Sequence, residues 1–144
     1  MKKLWLIVLM VVVVLTGCSD QSMNKEGSDI QSDQFILGDA SFVAPKNWAG
    51  NYEINETKDQ LSVFHICEQV NNKQELFTLK KVDKEAFQSG GQQNKDALVT
   101  QVGNDFYLAF APQEMVYSQQ TECKEQYDEM YLPFEGIKGR ITVR

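Results

Sequence analysis

Asn51-Tyr52-Glu53-Ile54-Asn55-Glu56-Thr57-Lys58-Asp59-Gln60-Leu61-Ser62-Val63-Phe64-His65-Ile66-Cys67 holds two extended runs around one polar turn. Tyr52 and Ile54 alternate with Glu53 and Asn55, the period-two pattern of a half-buried strand. Leu61 to Cys67 is dense in β-branched and aromatic side chains, which favour a pleated, packed surface. Thr57 to Gln60 is short and polar, so the two runs are expected to pair as an antiparallel hairpin.

Downstream, a long polar connection, Glu68 to Glu75, leads to a further strand at Leu76 to Val82. Asp83 is placed to cap a short helix over Asp83 to Phe87 that stops at Gly90-Gly91. Ala97 to Val102 and Phe106 to Phe110 flank Gly103-Asn104-Asp105, which predicts a second hairpin. Upstream, Phe35 to Leu37 and Ser41 to Ala44 read as short strands, broken by Pro45, which cannot donate to a sheet ladder.

After Pro112 the period changes. Cys123, Tyr127, Met130, Tyr131, Phe134 and Ile137 fall on one face of a helix, with Glu122, Glu125 and Glu129 away from it and suited to its N-terminal dipole. Pro133 is expected to kink this helix or to end it near Tyr131, with a second turn from Phe134. Arg140 to Arg144 either pairs as a strand or frays. The expectation is an α+β domain over residues 35–144: one antiparallel sheet of about six strands with a long C-terminal helix packed on one face.

The first residues follow other rules. Lys2 and Lys3 precede an unbroken apolar run from Leu4 to Leu15. Twelve helical residues rise roughly 18 Å, short of a bilayer core, which favours a cleavable signal over a permanent span. Leu15-Thr16-Gly17-Cys18 then resembles the lipobox of bacterial lipoproteins. The resemblance implies that residues 1–17 are removed, that Cys18 carries a diacylglycerol thioether, and that its amine takes a further acyl chain such as palmitate. An ordinary secretory signal, or an uncleaved anchor with an incidental cysteine, is the alternative. Two acyl chains give stable anchoring where one is marginal. The implied location is the extracytoplasmic face of a bacterial cell membrane. Residues 18–34 form the lipidated cysteine and a polar, flexible tether that averages roughly 20–25 Å as a coil.

Phe42-x-x-Pro45-x-x-Trp48, the Leu76-Phe77-Thr78-Leu79 strand and the late Tyr127-x-x-Met130 resemble PsbP-like domains and uncharacterised surface lipoproteins of Gram-positive bacteria. That resemblance implies a PsbP-like sandwich at the cell surface and carries no activity with it.

Composition narrows the function classes. The chain has 144 residues, 42% of them apolar, and carries 20 acidic against 14 basic side chains, for a formal charge of −6 that becomes −8 once Lys2 and Lys3 leave with the signal. The apolar content is too high for a disordered chain, and the acidic balance offers no footprint for nucleic acid. Cys67 and Cys123 form a disulfide, lie as two separately buried thiols, or belong to a redox or metal site; outside the cytoplasm thiols that meet become bridged. His65 is expected as a hydrogen-bonded strand residue, Trp48 as a cap over the core in preference to a ligand platform, and the Glu122, Glu125, Asp128, Glu129 group as a solvated face in preference to a cation site. No catalytic, cofactor-binding or metal-ligating set is expected, because no motif of that kind occurs. The expected function is a binding or accessory module for a small molecule or a protein partner. An inhibitor or immunity lipoprotein and, less favoured, an envelope enzyme are the alternatives.

Overall fold

The computed structural model describes residues 33–117 and 121–144. The signal segment, Cys18 and nearly all of the tether lie outside the described residues. The fold is α+β. In chain order it comprises β1 (Gln34–Leu37), β2 (Ala40–Val43), a 3-10 turn (Lys46–Trp48), β3 (Tyr52–Glu56), β4 (Gln60–Ile66), β5 (Lys73–Val82), α1 (Lys84–Ser89), α2 (Gly91–Asp96), β6 (Leu98–Val102), β7 (Asp105–Phe110), α3 (Glu122–Met130), α4 (Phe134–Lys138) and β8 (Ile141–Val143). Gln34, which the sequence places in the tether, is already the first residue of β1 and faces Val43. Among the described residues no helix is long and apolar enough to cross a membrane.

The strands form two antiparallel sheets, not the single six-stranded one expected. The larger has the order β3-β4-β5-β7-β6 and the smaller β1-β2-β8. Pro45 and the 3-10 turn cause the division, because the chain leaves the ladder after Val43 and re-enters as β3 in the other sheet. β2 is left with β1 on one side and the C-terminal β8 on the other, where Ser41 faces Thr142 and Phe42 faces Ile141.

Both sheets turn apolar side chains to a common interior. Leu61 and Val63 on β4, Phe77 and Leu79 on β5, and Tyr107 and Ala109 on β7 share one face of the larger sheet, and all are buried. Phe42 of the smaller sheet meets Phe77 with ring centroids 4.8 Å apart, and Trp48 lies 5.7 Å from Phe42 and 6.3 Å from Phe77. Trp48 is a core residue, and its indole N–H donates to the Met130 carbonyl at 2.9 Å. The β1–β2 turn is locked to the same core: Gly38 has a φ of 60°, and a Cβ there would stand 2.7 Å from the Tyr107 hydroxyl. That hydroxyl accepts the Asp39 N–H at 3.0 Å. Only glycine tolerates both the backbone angle and the approach.

The expected long C-terminal helix is two short ones. α3 starts under a Thr121 cap whose side chain accepts the Lys124 N–H, and it ends at Met130, three residues before Pro133, the N-cap of α4. The missing proline N–H and the restricted residue before it separate the two. Cys123, Tyr127, Met130 and Ile137 still reach the core, whereas Tyr131, the C-cap residue of α3, is 42% exposed. On the opposite face of the larger sheet, α1 lies against β7 through the stacked rings of Phe87 and Phe106. α2 was not anticipated from Gly90-Gly91. Asn94 holds it in place, its side-chain amide donating to the Ala86 and Phe87 carbonyls at the end of α1.

Trp48→Phe removes an indole donor and part of a buried ring system, leaving the Met130 carbonyl without that partner. A loss of about 3 kcal/mol is expected, read as a lower urea midpoint at unchanged slope.

Candidate functional site

Strand alternation sends Ser62 and Phe64 on β4, and Thr78 on β5, to the face of the larger sheet away from the aromatic core. Asn55, Ser62, Thr78 and Phe110 lie side by side across four strands, in the register Asn55 to Ser62, Ser62 to Thr78 and Thr78 to Phe110. Gln93 and Asn94 of α2 and segment 111–116 stand around this row. Between them is a trough of about 850 Å³.

A shift of register between Val63 and Phe64 shapes its floor. Val63 faces Phe77 but Phe64 faces Glu75, so Leu76 is the extra residue of a bulge. The bulge sets Glu75 beside Thr78, whose hydroxyl donates to the Glu75 carboxylate at 2.5 Å. Ser62 and Thr78 hydroxyls are 2.7 Å apart, and the Gln60 amide donates to Ser62 at 3.0 Å. Because Thr78 spends its proton on Glu75, Ser62 must donate to Thr78. The result is a chain of bonds with one direction, from the Gln60 amide to the Glu75 carboxylate, each bond polarising the next. At the two ends, the Lys73 ammonium lies 4.6 Å from the Phe64 ring centre and the Lys80 ammonium 5.5 Å from that of Phe110. Lys73 also pairs with Glu53 at 2.5 Å.

The same bulge puts Gln74 directly opposite His65, and both are buried. Gln74 clamps the trough's outer wall: its amide donates to the Glu114 carbonyl at 2.8 Å, and its side-chain oxygen accepts the Val116 N–H. One residue on, the Tyr117 hydroxyl donates to the His65 backbone carbonyl at 3.0 Å and lies 3.0 Å from His65 Nδ1. With its proton committed to the carbonyl, Tyr117 accepts from Nδ1–H, which leaves Nε2 as a bare acceptor. Nε2 is buried without a hydrogen-bond partner among the described residues. Burial, the larger effect, lowers the His65 pKa from its ordinary 6.5, and the Gln126 side chain acts the other way. Tyr117 and Tyr127 pack against the ring, and burial raises both phenols, Tyr127 to about 12. Neither supplies the negative charge that an imidazolium would need.

Cys67 at the end of β4 and Cys123 in the first turn of α3 have sulfurs 2.02 Å apart and Cα atoms 5.6 Å apart, the geometry of a disulfide. The closed loop contains β5, α1, α2, β6, β7 and segment 111–116, so it encompasses most of the trough's walls. A smaller hollow of about 580 Å³ opens beside Cys67, between Asn71, Asn72 and Val116. Val70, Met115 and Val116 stand exposed near it, at 39%, 46% and 51%.

The remaining sequence candidates do not join the trough. Glu122, Glu125, Asp128 and Glu129 are exposed along α3, with Asp128 paired to Lys124 at 2.5 Å. Among the described residues no group of three metal-ligating side chains occurs. Sequence reading missed Ser62, Glu75, Thr78 and the Gln74 clamp. The available signal was a pair of hydroxyl residues at the outward positions of two otherwise apolar strands. Comparison of the chain with known protein families, with characterised proteins and with solved structures finds no match.

Two outcomes follow from the buried side of the site. His65 takes up a proton more readily in the unfolded chain than in the fold, so its contribution is fully present above the unfolded pKa and is lost as pH falls through the lower folded value. The unfolding free energy is expected to be flat from about pH 8 to 7 and to decline below about 6.5, ahead of the carboxylates. His65→Asn, which keeps a donor for Tyr117 and loses the titration, flattens that part of the profile. Replacing Cys67 and Cys123 together by Ala frees a loop with a sequence separation of 56. This is expected to cost about 4 kcal/mol on the chain-entropy account, measured as the fall in unfolding free energy against urea.

Proposed function

We propose that this chain is a lipid-anchored binding module on the extracytoplasmic face of a bacterial membrane, and that its ligand occupies the trough on the outer face of the larger sheet. The observation that carries the binding role is the trough floor. Ser62 and Thr78 are nearly buried polar residues on a sheet face and belong to an ordered hydrogen-bond chain that an ordinary solvated surface does not need. The Lys and Phe pairs at its ends provide charge and apolar contact around a few placed polar groups, the usual make-up of a small-molecule site. The membrane role is supported by the lipobox-like Leu15-Thr16-Gly17-Cys18 and the polar stretch after it. The domain itself is acidic and gains nothing from an anionic lipid surface, so the lipid on Cys18 carries the attachment.

The finer fold assignment, a PsbP-like sandwich, belongs to the same proposal. It is supported by the α+β class and by Phe42, Pro45 and Trp48 standing where the chain passes from one sheet to the other. A second reading, an inhibitor or immunity lipoprotein that intercepts a protein partner, is favoured by one observation: Val70, Met115 and Val116 are exposed beside the smaller hollow. Clustered exposed apolar side chains mark contact surfaces.

Intact mass of the protein extracted from host membranes is expected to begin at Cys18 and to carry a diacylglyceryl adduct. Cys18→Ala is expected to abolish lipid labelling and to shift the protein from the membrane fraction to the soluble one. Continued labelling or membrane retention of that variant defeats the anchor.

A further inference from the structure

The trough's chemistry narrows the class of ligand. Its charges are mixed: Lys73 and Lys80 are set against Glu75 and Glu114 in the same lining, and Lys73 is already engaged by Glu53. A phosphate or multiply charged anion would meet the Glu75 carboxylate at the end of the row. A peptide strand could not extend the sheet here, because the floor is a sheet face whose ladder bonds are made between β4, β5 and β7; strand addition needs an open edge.

What the floor does offer is a polarised row with an amide at one end and a carboxylate at the other. Among the described residues, the Gln60 side-chain carbonyl and the second Glu75 oxygen have no hydrogen bond of their own, while Lys80 adds donors. Two aromatic rings border this row. Phe64 faces Glu75 on one side of β5 and Phe110 faces Thr78 on the other, so the rings stand two strands apart, about 10 Å across the sheet. Each is half-buried and has a lysine ammonium near its ring, Lys73 by Phe64 and Lys80 by Phe110, a weak cover.

We propose that the trough binds a short neutral carbohydrate, its hydroxyls bonded along the row from Gln60 to Glu75 and its C–H faces resting on Phe64 and Phe110. A sugar hydroxyl both donates and accepts, which suits a floor that presents acceptors at Gln60 and Glu75 and donors at Lys80. The faces of a sugar ring are apolar, which suits the flanking aromatics. Lys80 swings from its ring to bond a ligand oxygen as the ring is covered, while Lys73 stays paired with Glu53. The inference rests on the reading of the trough as a binding site.

The test uses full-length protein purified from membranes in a polyoxyethylene detergent, which carries no sugar. Thermal unfolding is followed with millimolar diacetylchitobiose, cellobiose or maltotriose, and separately with trialanine and with AMP. At least one saccharide is expected to raise the unfolding temperature, and Gln60→Ala and Lys80→Met are each expected to weaken that saccharide's binding about tenfold, as loss of a ligand hydrogen bond does. Stabilisation by trialanine or AMP alone, abolished in the same two variants, overturns the carbohydrate assignment and keeps the trough as a binding site. Stabilisation by none of the probes removes both. A saccharide effect that survives both substitutions puts the sugar elsewhere and overturns the proposal.

Discussion

Phe77 is the point on which the two sheets depend. The smaller sheet has strands of four, four and three residues, too little ladder to persist in water without an apolar partner. Its partner is the ring cluster of Phe42, Trp48 and Phe77, in which each aromatic side chain contributes a large buried area and a preferred tilt. Once Phe42 is seated there, β2 is placed, and β1 and β8 follow by pairing to it. The 3-10 turn at Lys46–Trp48 is held by the indole bond to Met130, which in turn positions the end of α3. A single aromatic contact between layers thus ties together the beginning, the middle and the end of the described chain.

Much of the local structure was legible because local rules govern it. The hairpin around Thr57 to Gln60, the cap at Asp83, the Gly103 turn and the effect of Pro133 all depend on residues within a few positions of one another, and the structure has each of them. The division into two sheets was not legible. It depends on the C-terminal strand returning to β2, a pairing across about a hundred residues that no periodicity records. β5 also begins earlier than expected, at Lys73, because Lys73, Gln74 and Glu75 carry no strand-forming pattern and are drawn into the ladder by pairing with Ile66, His65 and Phe64.

The site was less legible still. Ser62 and Thr78 are ordinary outward strand residues until they are placed side by side, and Gln74 looks like loop until the bulge turns it to face His65. The bulge at Leu76 therefore separates two kinds of chemistry on neighbouring residues: Glu75 serves the trough, and Gln74 serves the wall behind it. A one-residue change in register there would exchange the two faces, which explains why motif spacing alone found neither group.

The covalent link between Cys67 and Cys123 has a consequence of another kind. The loop it closes contains both walls of the trough as well as β5 and β7 beneath it. A protease that cuts a turn within that loop, such as the one at Gly103-Asn104, opens the chain but releases no fragment, since both sides of the cut remain joined through the sulfurs. Strand pairing across β5 and β7 then holds the nicked pieces in place. The face that carries the trough would thus survive a cut that would dismantle an unbridged domain.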